Sequence, residues 1–446
     1  MSINIFWFRR DLRLHDNAGL YQALKNGVPV LPIFIFDKNI LEKLEERNDA
    51  RVTFLHDTLT ELKTELEVLG STLLVLYGTP EEVWAQLVKD YSIQTVFTNH
   101  DYEPYALRRD ESIKAFLNAQ NIGFQTFKDH VIFEYNEVTK DDGKPYTVFT
   151  PYSRKWKAKL ESEMSLYNDH SISYYLKPYP TEEYFSHFYK TSPLNIPTLE
   201  SMNFERSNLK IPSKTVARSI VKNYDTTRNF PALQYSTTKL GVHFRFGTIS
   251  IREKALAAQS LNETYLNELI WRDFYSQILQ HFPHIGEGKA FRKEYDTIAW
   301  RDDEKSFEKW CTGKTGYPMV DAGMRELNAT GYMHNRVRMI VSSFLTKHLL
   351  LDWRLGEAYF AKKLLDFDMA SNNGGWQWAS GSGTDAAPYF RIFNPSEQQK
   401  KFDSEQKYIR RWIPEFDTPQ YPKPIVDHKE ARERCLKVYA AALKDR

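Results

Sequence analysis

One helical stretch, LNETYLNELIWRDFYSQILQHF (261–282), carries side chains that could do chemistry on one of its faces. Four polar or aromatic residues follow the i, i+3, i+4, i+7 spacing of a single helix face, namely Glu268, Trp271, Arg272 and Tyr275. Large apolar residues take the opposite side, namely Leu266, Leu269, Ile270 and Phe274. Taken alone, this pattern favours a buried helix with an ion pair on its solvated rim over a functional face.

The segment MHNRVRMIVSSFLTKHLL (333–350) is divided in the same way. One stripe is apolar and consists of Val337, Ile340, Val341 and Phe344, whereas the other holds Asn335, Arg338 and Met339. A methionine by itself is typical core filler. Flanked by Asn335 and Arg338, Met339 fits a pocket wall equally well, and this helix leaves both interpretations open.

Two carboxylates, Asp366 and Asp368, lie beside leucines and a phenylalanine in LLDFDMASNNGG (364–375). An unpaired carboxylate is costly to bury, so each of them requires a partner. One interpretation is an ion pair at a helix terminus with an arginine such as Arg338. The other is a carboxylate that accepts a hydrogen bond from the ring N–H of a cofactor. The residues alone favour the ion pair.

The sequence contains ten tryptophans, and the usual role of each is to bury a large ring with its N–H hydrogen-bonded. Trp300, Trp353 and Trp376 occur in unrelated contexts, and beside a redox cofactor such rings could also pass electrons. The stretch NNGGWQWASGSGTDAAPYFRIFNP (372–395) places aromatic rings next to a glycine- and serine-rich run that is unsuited to a regular helix. That composition is hard to explain as ordinary core.

Strand and helix patterns alternate in the first third of the chain. The strand-like runs are INIFWF (3–8), VPVLPIFIF (28–36), STLLVLYG (71–78) and QTVFTN (94–99). The alternation predicts an α/β, doubly wound parallel-sheet N-terminal domain that is Rossmann-like but has no GxGxxG or P-loop pattern. Loop-like residues then predict a long linker, and long helical patterns predict an all-α domain. The predicted boundaries are 1–134, 135–215 and 216–446.

Composition places limits on the class of protein. The 446 residues are 41% hydrophobic, which is enough for more than one core, and 60 basic side chains nearly balance 58 acidic ones. Any polyanion site must therefore come from local clustering. Only Cys311 and Cys435 are present, which argues against a disulfide framework, a zinc ribbon or a four-thiolate iron–sulfur cluster. No apolar run is as long as a membrane-spanning helix, which needs about 18 residues. We therefore expect a soluble, cytoplasmic protein that does not bind a membrane, and we also expect no metal site.

Several blocks along the chain resemble the photolyase and cryptochrome family. They begin with FWFRRDLRLHDN (6–17) and NHDYEP (99–104), and they are densest in NELIWRDFY, GKTGYPMVDAGMRELNATGYMHNRVRMI and NNGGWQWASGSGTDAAPYFRIFNP. The resemblance covers nearly the whole chain and is strongest to the photolyases that repair cyclobutane pyrimidine dimers. It implies a U-shaped FAD, active in its reduced form, in the all-α domain, and an antenna role for the α/β domain. Light would then drive an electron from the flavin to a dimer in UV-damaged DNA.

The resemblance also assigns residues to a substrate pocket. Trp271 and Trp378 correspond to the apolar walls that hold a flipped-out dimer, and Glu268 corresponds to the residue that hydrogen-bonds the dimer. In the family, Asn335 and Met339 line the same pocket. Residues at DNA-binding positions are Arg228, Arg272, Tyr275, Arg336, Arg391 and Gln398, although arginine is also common in surface ion pairs.

On the flavin side, Asn372 corresponds to the residue that faces N5, Asp368 to the acceptor for N3–H, and Asp366 to the partner of Arg338 near the ring. The segment that binds the FAD phosphates corresponds to Tyr224, Thr237, Thr238, Lys239, Leu240 and Gly241. Gly241 stands where many relatives have serine, which removes one hydroxyl from that segment. Trp376, Trp353 and Trp300 correspond, in that order outward, to the chain that photoreduces the flavin.

Other members of the family are the alternatives. A (6-4) photolyase has two histidines where this chain has Asn335 and Met339, and plant cryptochromes have aspartate where it has Asn372. A light-signalling role on the same fold, or a fold that only binds FAD and a protein partner, remains an alternative. The antenna chromophore is also open, because a folate, a deazaflavin, a second flavin or nothing could occupy the first domain. The family expectation is a monomer.

Overall fold

The computed structural model describes residues 2–162 and 173–443. The chain divides into two compact units. The first comprises residues 1–134, 157–214 and 240–257, and the second comprises residues 135–156, 215–239 and 258–446. The interval 135–215, predicted as a linker, is therefore shared between the units. It also contains the helix α6 (Phe149–Ser162), which the loop-like composition did not indicate.

The first unit is built on a five-stranded parallel sheet with the order β3-β2-β1-β4-β5. Its strands are β1 (Ile3–Phe8), β2 (Val30–Asp37), β3 (Leu74–Gly78), β4 (Ile93–Asn99) and β5 (Gly123–Phe127). The helices between them are α1 (Ala18–Lys25), α2 (Lys38–Leu41), α3 (Ala50–Val68), α4 (Pro80–Asp90) and α5 (Pro104–Ala119). The order of the strands reverses between β1 and β4, which is the topological switch point of a doubly wound sheet.

The apolar runs form these strands because both faces of the sheet are covered. Every residue of β1 and β2 is buried, as is usual for parallel sheets. On one face, Ile5 and Trp7 pack with Trp84 of α4 in a single hydrophobic cluster. On the other face, α1 approaches so closely that a Cβ on Gly19 would lie 2.9 Å from the Phe6 ring. Only glycine permits that distance between helix and strand.

The regular elements of the second unit are helical throughout the part of the chain that the structure describes. Besides α6, the remaining helices of the chain are α7 (Arg218–Lys222), α8 (Tyr224–Thr227), α9 (Gly241–Phe246), α10 (Ile251–Leu261), α11 (Glu263–His281), α12 (Glu304–Cys311), α13 (Pro318–Thr330), α14 (Asn335–Ser343), α15 (Trp353–Lys363), α16 (Met369–Ser380), α17 (Pro395–Phe402), α18 (Lys407–Trp412) and α19 (His428–Leu443). Helix α9, most of α10 and residues 157–162 of α6 are counted with the first unit. One hydrophobic cluster, which includes Trp310, Phe344, Trp353 and Trp376, forms the core of the second unit.

The predicted fold class is confirmed: a doubly wound parallel sheet with flanking helices is present in the first unit, and the second unit is all-α in its described residues. Among the described helices, none combines the length and the apolar character that crossing a membrane requires.

Candidate functional site

A cavity of about 450 Å³ lies within the second unit. This volume is typical of sites that bind small molecules and cofactors. The predicted functional residues that line it are Arg228, Glu268, Trp271, Arg272, Tyr275, Asn335, Arg336, Arg338, Met339, Asp366, Asp368, Asn372, Trp376 and Trp378. The fold therefore brings together side chains from four separate segments of the sequence.

Helix α11 carries Glu268, one of the acidic side chains that line the cavity. The Asn262 side chain begins this helix by accepting a hydrogen bond from the Tyr265 N–H at 3.1 Å. Glu268 forms an ion pair with Arg228, whose Nη1 lies 2.5 Å from Oε1. Burial raises the pKa of Glu268, and the neighbouring Arg228 opposes that rise by favouring the carboxylate. An ion pair expected from this face is thus present, but it belongs to a cavity wall and not to a solvated helix rim.

Two tryptophans give the cavity large apolar surfaces. The Trp271 ring stacks on Phe149 with the centroids 3.7 Å apart and the planes 3° from parallel. Trp378, from α16, packs at a tilt against Phe393. Phe149 was missed by sequence reasoning because it lies in the segment interpreted as a linker. Its stacking fixes the orientation of the Trp271 ring before any ligand arrives.

The glycine pair of α16 explains how this helix reaches the cavity. A Cβ on Gly374 would lie 2.2 Å from the Tyr275 ring, so a larger residue would separate α16 from α11. A Cβ on Gly375 would meet no atom within 4 Å, because this position borders the cavity. The first glycine therefore permits close packing, and the second leaves room for a bulky ligand.

The carboxylates of LLDFDMASNNGG have different roles. Arg338 Nη2 contacts Asp366 at 3.0 and 2.9 Å, so the predicted ion pair is present. Its Nε donates to the Met333 carbonyl oxygen at 2.7 Å, which fixes the guanidinium from a second side. Asp368 begins α16 by accepting a hydrogen bond from the Ser371 N–H at 3.1 Å. Both aspartates border the cavity.

Asn372 is held by a residue that sequence reasoning missed. Its Nδ2 donates to the main-chain oxygen of Glu357 at 3.1 Å and to the Oε1 of that residue at 3.0 Å. Because the amide N–H groups are directed at Glu357, the atom that Asn372 offers to a ligand is its acceptor, Oδ1. Burial raises the pKa of Glu357. Nothing in LGEAYF distinguishes this glutamate from a surface residue of an amphipathic helix.

The predicted phosphate-binding residues are anchored by tyrosines. The hydroxyl of Thr237 lies 3.0 Å from that of Tyr332, and the hydroxyl of Thr238 lies 3.3 Å from that of Tyr265. Lys239 places its ammonium 4.7 Å from the centroid of the Tyr332 ring. Tyr224 is buried and packs edge-on against Tyr265. None of these residues is among those lining the cavity in the described chain, and Leu240 and Gly241 are counted with the first unit.

The three tryptophans predicted to transfer electrons share one hydrophobic cluster. Trp376 lines the cavity and is 2% exposed, and Trp353, the first residue of α15, is equally buried. Trp300 packs against the same cluster and contacts the Tyr439 ring at 5.9 Å. Trp376 also meets Trp310 edge-on at 6.0 Å, a neighbour that the sequence did not single out.

The predicted DNA-binding residues lie both inside and outside the cavity. Arg336 lines it, donates to the Asn229 side chain at 2.7 Å and lies over the Phe402 ring. Arg391 is exposed in the segment between α16 and α17, and Gln398 is half-buried on α17. Neither is among the cavity-lining residues of the described chain. Within the same described residues, no group of three or more His, Cys, Asp or Glu side chains could hold a metal ion.

The switch point of the sheet in the first unit holds a second concentration of charge. Arg10 contacts Asp101 at 3.0 Å and Glu103 at 3.1 Å, and Arg245 also pairs with Glu103. The nearby arginines lower the pKa of Asp101 even though burial opposes the shift. Ligands of doubly wound sheets bind at such a position, but here the space between the side chains is only about 10 Å³.

Comparison with known proteins identifies the family. The family model described as the FAD binding domain of DNA photolyase matches residues 265–420, and that described as DNA photolyase matches residues 4–169. A curated relative from Agrobacterium fabrum, named deoxyribodipyrimidine photo-lyase, is 37% identical over 99% of this chain and 98% of its own length. The relative of the same name from Escherichia coli is 35% identical, with both chains covered completely.

Solved structures give the same result over the whole chain. The bacterial class III photolyase from Agrobacterium tumefaciens matches with a TM-score of 0.84 at 35% identity, covering 99% of this chain and 98% of the other. The archaeal photolyase from Sulfolobus tokodaii, solved with two FAD molecules, matches with a TM-score of 0.80 at 34% identity, covering 99% and 100%. A cryptochrome from Synechocystis matches with a TM-score of 0.81 at 25% identity, covering 98% and 99%. The relatives extend over the full length of the chain, which therefore belongs to the DNA photolyase family and carries its FAD-binding domain.

Proposed function

We propose that this protein repairs cyclobutane pyrimidine dimers in UV-damaged DNA, with reduced FAD as the light-dependent cofactor. One observation carries the proposal. Glu268, Trp271 and Trp378 share a single cavity with the polar groups of Asn372 and of the Arg338–Asp366 ion pair. A ligand with hydrogen-bonding ring nitrogens and a flipped-out pyrimidine dimer could thus be held close enough for electron transfer.

One group of the cavity residues fits an isoalloxazine ring. Trp376, Phe360 and Leu364 give apolar surface, and the open space beside Gly375 accommodates a bulky group. Asp368 offers carboxylate oxygen to a ring N–H, and Asn372 offers its Oδ1 to another. FAD, when bound there, supplies the light-driven electron. The protein holds the ring in place, and the fixed guanidinium of Arg338 favours negative charge near it.

A second group of the cavity residues fits a base that has left the DNA stack. Trp271 and Trp378 present aromatic surface on which a flipped pyrimidine dimer can pack, and the stacking of Trp271 on Phe149 lowers the cost of ordering its ring. Glu268 hydrogen-bonds the polar edge of the dimer. Arg228 and Arg336 contact the flanking phosphates, and such contacts are insensitive to base sequence.

Trp376, Trp353 and Trp300 would carry single electrons from an external reductant at the surface to a light-excited, oxidised cofactor and so return it to its reduced form. The supporting observation is that Trp376 and Trp353 belong to one hydrophobic cluster, against which the partly buried Trp300 packs. An antenna chromophore in the first unit is also part of this proposal, although the space of about 10 Å³ at the sheet switch point does not accommodate it. A folate, a deazaflavin and a second flavin differ in their absorption spectra, so the spectrum of the purified protein identifies which of them is present.

The decisive experiment uses an oligonucleotide with one pyrimidine dimer. The FAD-loaded, reduced protein is mixed with it in light and in darkness, and the remaining dimers are counted. We expect loss of dimers in the light alone, and a substrate containing a (6-4) photoproduct should stay unrepaired. Dimers that are bound but persist under illumination would contradict the proposal. That result would favour a cryptochrome-like light sensor, to which the Synechocystis structural relative also points.

A further inference from the structure

Arg228 and Glu268 form an ion pair with each other inside the cavity. The proposed function, in contrast, requires Arg228 to contact a DNA phosphate and Glu268 to contact the dimer. The carboxylate Oε1 lies 2.5 Å from the guanidinium Nη1, and the side chains are 27% and 22% exposed. Arg228 directly follows the short helix α8, and its guanidinium lies 5.2 Å from the centroid of the Tyr224 ring. The ion pair is therefore accessible from the cavity and is attached to a short element.

A DNA phosphate would compete with Glu268 for this guanidinium. Arg336 lines the same cavity as Arg228, and burial and the charge of Arg228 lower the pKa of Arg336, so the two cations repel each other. Moving Arg228 onto a phosphate relieves this repulsion and forms a charge-assisted hydrogen bond. The same movement removes the cation that favours the carboxylate of Glu268, and the entering dimer displaces water from that side chain.

We propose that damaged DNA displaces Arg228 from Glu268, and that Glu268 takes up one proton from solvent as the dimer enters the cavity. In the free protein, Arg228 masks the carboxylate. In the complex, Arg228 contacts a phosphate, and the neutral Glu268 donates its O–H to a carbonyl oxygen of the dimer. This inference rests on the proposed repair function and adds a proton-linked exchange of partners to it.

The groups around Glu268 and Arg228 do not supply the proton. Burial raises the pKa of Tyr224, Tyr265 and Tyr275, so these phenols stay protonated at neutral pH. Burial and the surrounding arginines lower the pKa of His334 to about 3, so this imidazole is neutral. The remaining cavity cations nearby are Arg272 and Arg336, which keep their protons. A proton gained on binding must therefore come from the solvent, and the Glu268→Gln variant tests whether it resides on Glu268 and not on His334, Asp366 or Asp368.

The sign of the pH dependence follows from linkage. Glu268 has a higher pKa in the complex than in the free protein, because binding removes its counter-ion and its water. Between these two pKa values, binding takes up protons, and affinity falls as the pH rises. The slope is at most about tenfold per pH unit. Undamaged DNA places no base in the cavity, so its affinity should not change with pH in this way.

Calorimetry in darkness tests the exchange without any repair. The FAD-loaded chain is titrated with a dimer-containing oligonucleotide at one pH in two buffers of different ionisation enthalpy, and the difference in heat gives the number of protons taken up. We expect a positive uptake of up to one proton for damaged DNA and none for undamaged DNA. Glu268→Gln should abolish the uptake, and Arg228→Gln should reduce it because the carboxyl is already unmasked in the free protein.

A matched control is Glu326→Gln. Glu326 is another buried glutamate whose pKa burial raises, but it is held by Tyr408 at 2.6 Å and lies outside the cavity walls of the described chain. This variant should leave the proton count unchanged. Equal binding of damaged and undamaged DNA would overturn the proposed function. Preference for damaged DNA with no proton uptake in the unmodified protein would overturn the exchange alone.

Discussion

The same ion-pair chemistry serves different purposes in the two units. In the first, Arg13 holds Asp129 through Nη2 at 2.9 and 2.8 Å, and Arg252 bridges Asp129 and Asp16 at 2.7 and 2.8 Å. These side chains are at most 6% exposed. In the second, the pairs Arg228–Glu268 and Arg338–Asp366 border a cavity of about 450 Å³ and remain partly exposed.

The difference lies in what can replace the partner of each charge. A buried pair that is packed by protein on all sides has no competing ligand, so losing one member leaves an uncompensated charge. A pair that borders open space can exchange its partner for a phosphate, a ring N–H or solvent. Ion pairs of the first kind should therefore control stability, and those of the second kind should control binding.

Asp129→Asn should have the largest effect on stability. Although burial opposes ionisation, Arg13 and Arg252 lower the pKa of Asp129, so the carboxylate is charged in the folded protein. The variant leaves two buried guanidinium groups without this counter-charge, and we expect the free energy of unfolding to fall by about 3–5 kcal/mol. Urea denaturation monitored by circular dichroism measures the loss.

Acid provides an internal check on that prediction. A depressed folded-state pKa gives stability that is present above the unfolded-state pKa of about 4 and is lost as the pH falls toward the folded-state value. The difference between the unmodified protein and Asp129→Asn should therefore shrink below about pH 4. Asp141→Asn is the control, because the carboxylate that pairs with Lys155 is 96% exposed, and its effect should stay within about 0.5 kcal/mol. Equal losses in the two variants would contradict the comparison.

Arg338→Met makes the corresponding change in the cavity. It removes the guanidinium from the Arg338–Asp366 pair but leaves Asp366 in contact with solvent through the cavity. We expect FAD affinity to fall by about 2–3 kcal/mol, the usual cost of losing a hydrogen bond to a charged group, and stability of the FAD-free protein to change less. Flavin fluorescence titration and denaturation of the FAD-free protein separate the two effects. A stability loss as large as that of Asp129→Asn would erase the distinction between the units.

The sheet could be predicted from the sequence because its signal is local. Continuous apolar runs such as INIFWF and VPVLPIFIF form β1 and β2, which are buried along their whole length. Helix α6 was missed because its segment, FTPYSRKWKAKLES, has a proline in its first turn and lies among turn-forming sequences. The division of residues 135–215 between two units was equally hidden, because tertiary contacts and not composition decide it.

The residue types of the site and its Arg338–Asp366 pair could be predicted from the sequence, but the other partners could not. Helical spacing placed Glu268 and Trp271 on one face, and LLDFDMASNNGG indicated that Asp366 needs an arginine. By contrast, the partner of Glu268 is Arg228, 40 positions earlier, and the ring beneath Trp271 is Phe149. Such pairs depend on how distant segments meet in space, and a single sequence contains no local pattern that specifies them.

Trp378→Ala should weaken recognition of the dimer without affecting the fold. The indole lines the cavity and is only partly buried, so its removal creates little internal void. Losing one aromatic surface costs about 1–3 kcal/mol of stacking, and we expect affinity for dimer-containing DNA to fall by about 10- to 100-fold. Fluorescence anisotropy in darkness measures the affinity. Trp378→Phe keeps a ring and should retain most of it, whereas affinity for undamaged DNA should be the same in both variants.

Of these substitutions, Glu357→Ala should have the smallest effect on binding, because it changes the cavity only through the side-chain amide of Asn372. In the unmodified protein, the Asn372 N–H groups are directed at Glu357, and the Oδ1 is presented as an acceptor. Removing the carboxyl leaves the main-chain oxygen of residue 357 as the remaining acceptor of the amide, so Asn372 rotates more easily to present a donor, which opposes an N–H on the ligand and favours a bare nitrogen. The loss is that of one hydrogen bond, about 1 kcal/mol, so we expect reduced FAD to bind about fivefold more weakly relative to oxidised FAD. Weaker binding of the reduced form lowers the reduction potential of the bound flavin, which redox titration measures. Glu357→Gln, which keeps an acceptor oxygen for the amide, should restore the potential, and an unchanged potential in Glu357→Ala would mean that Asn372 is held by other contacts.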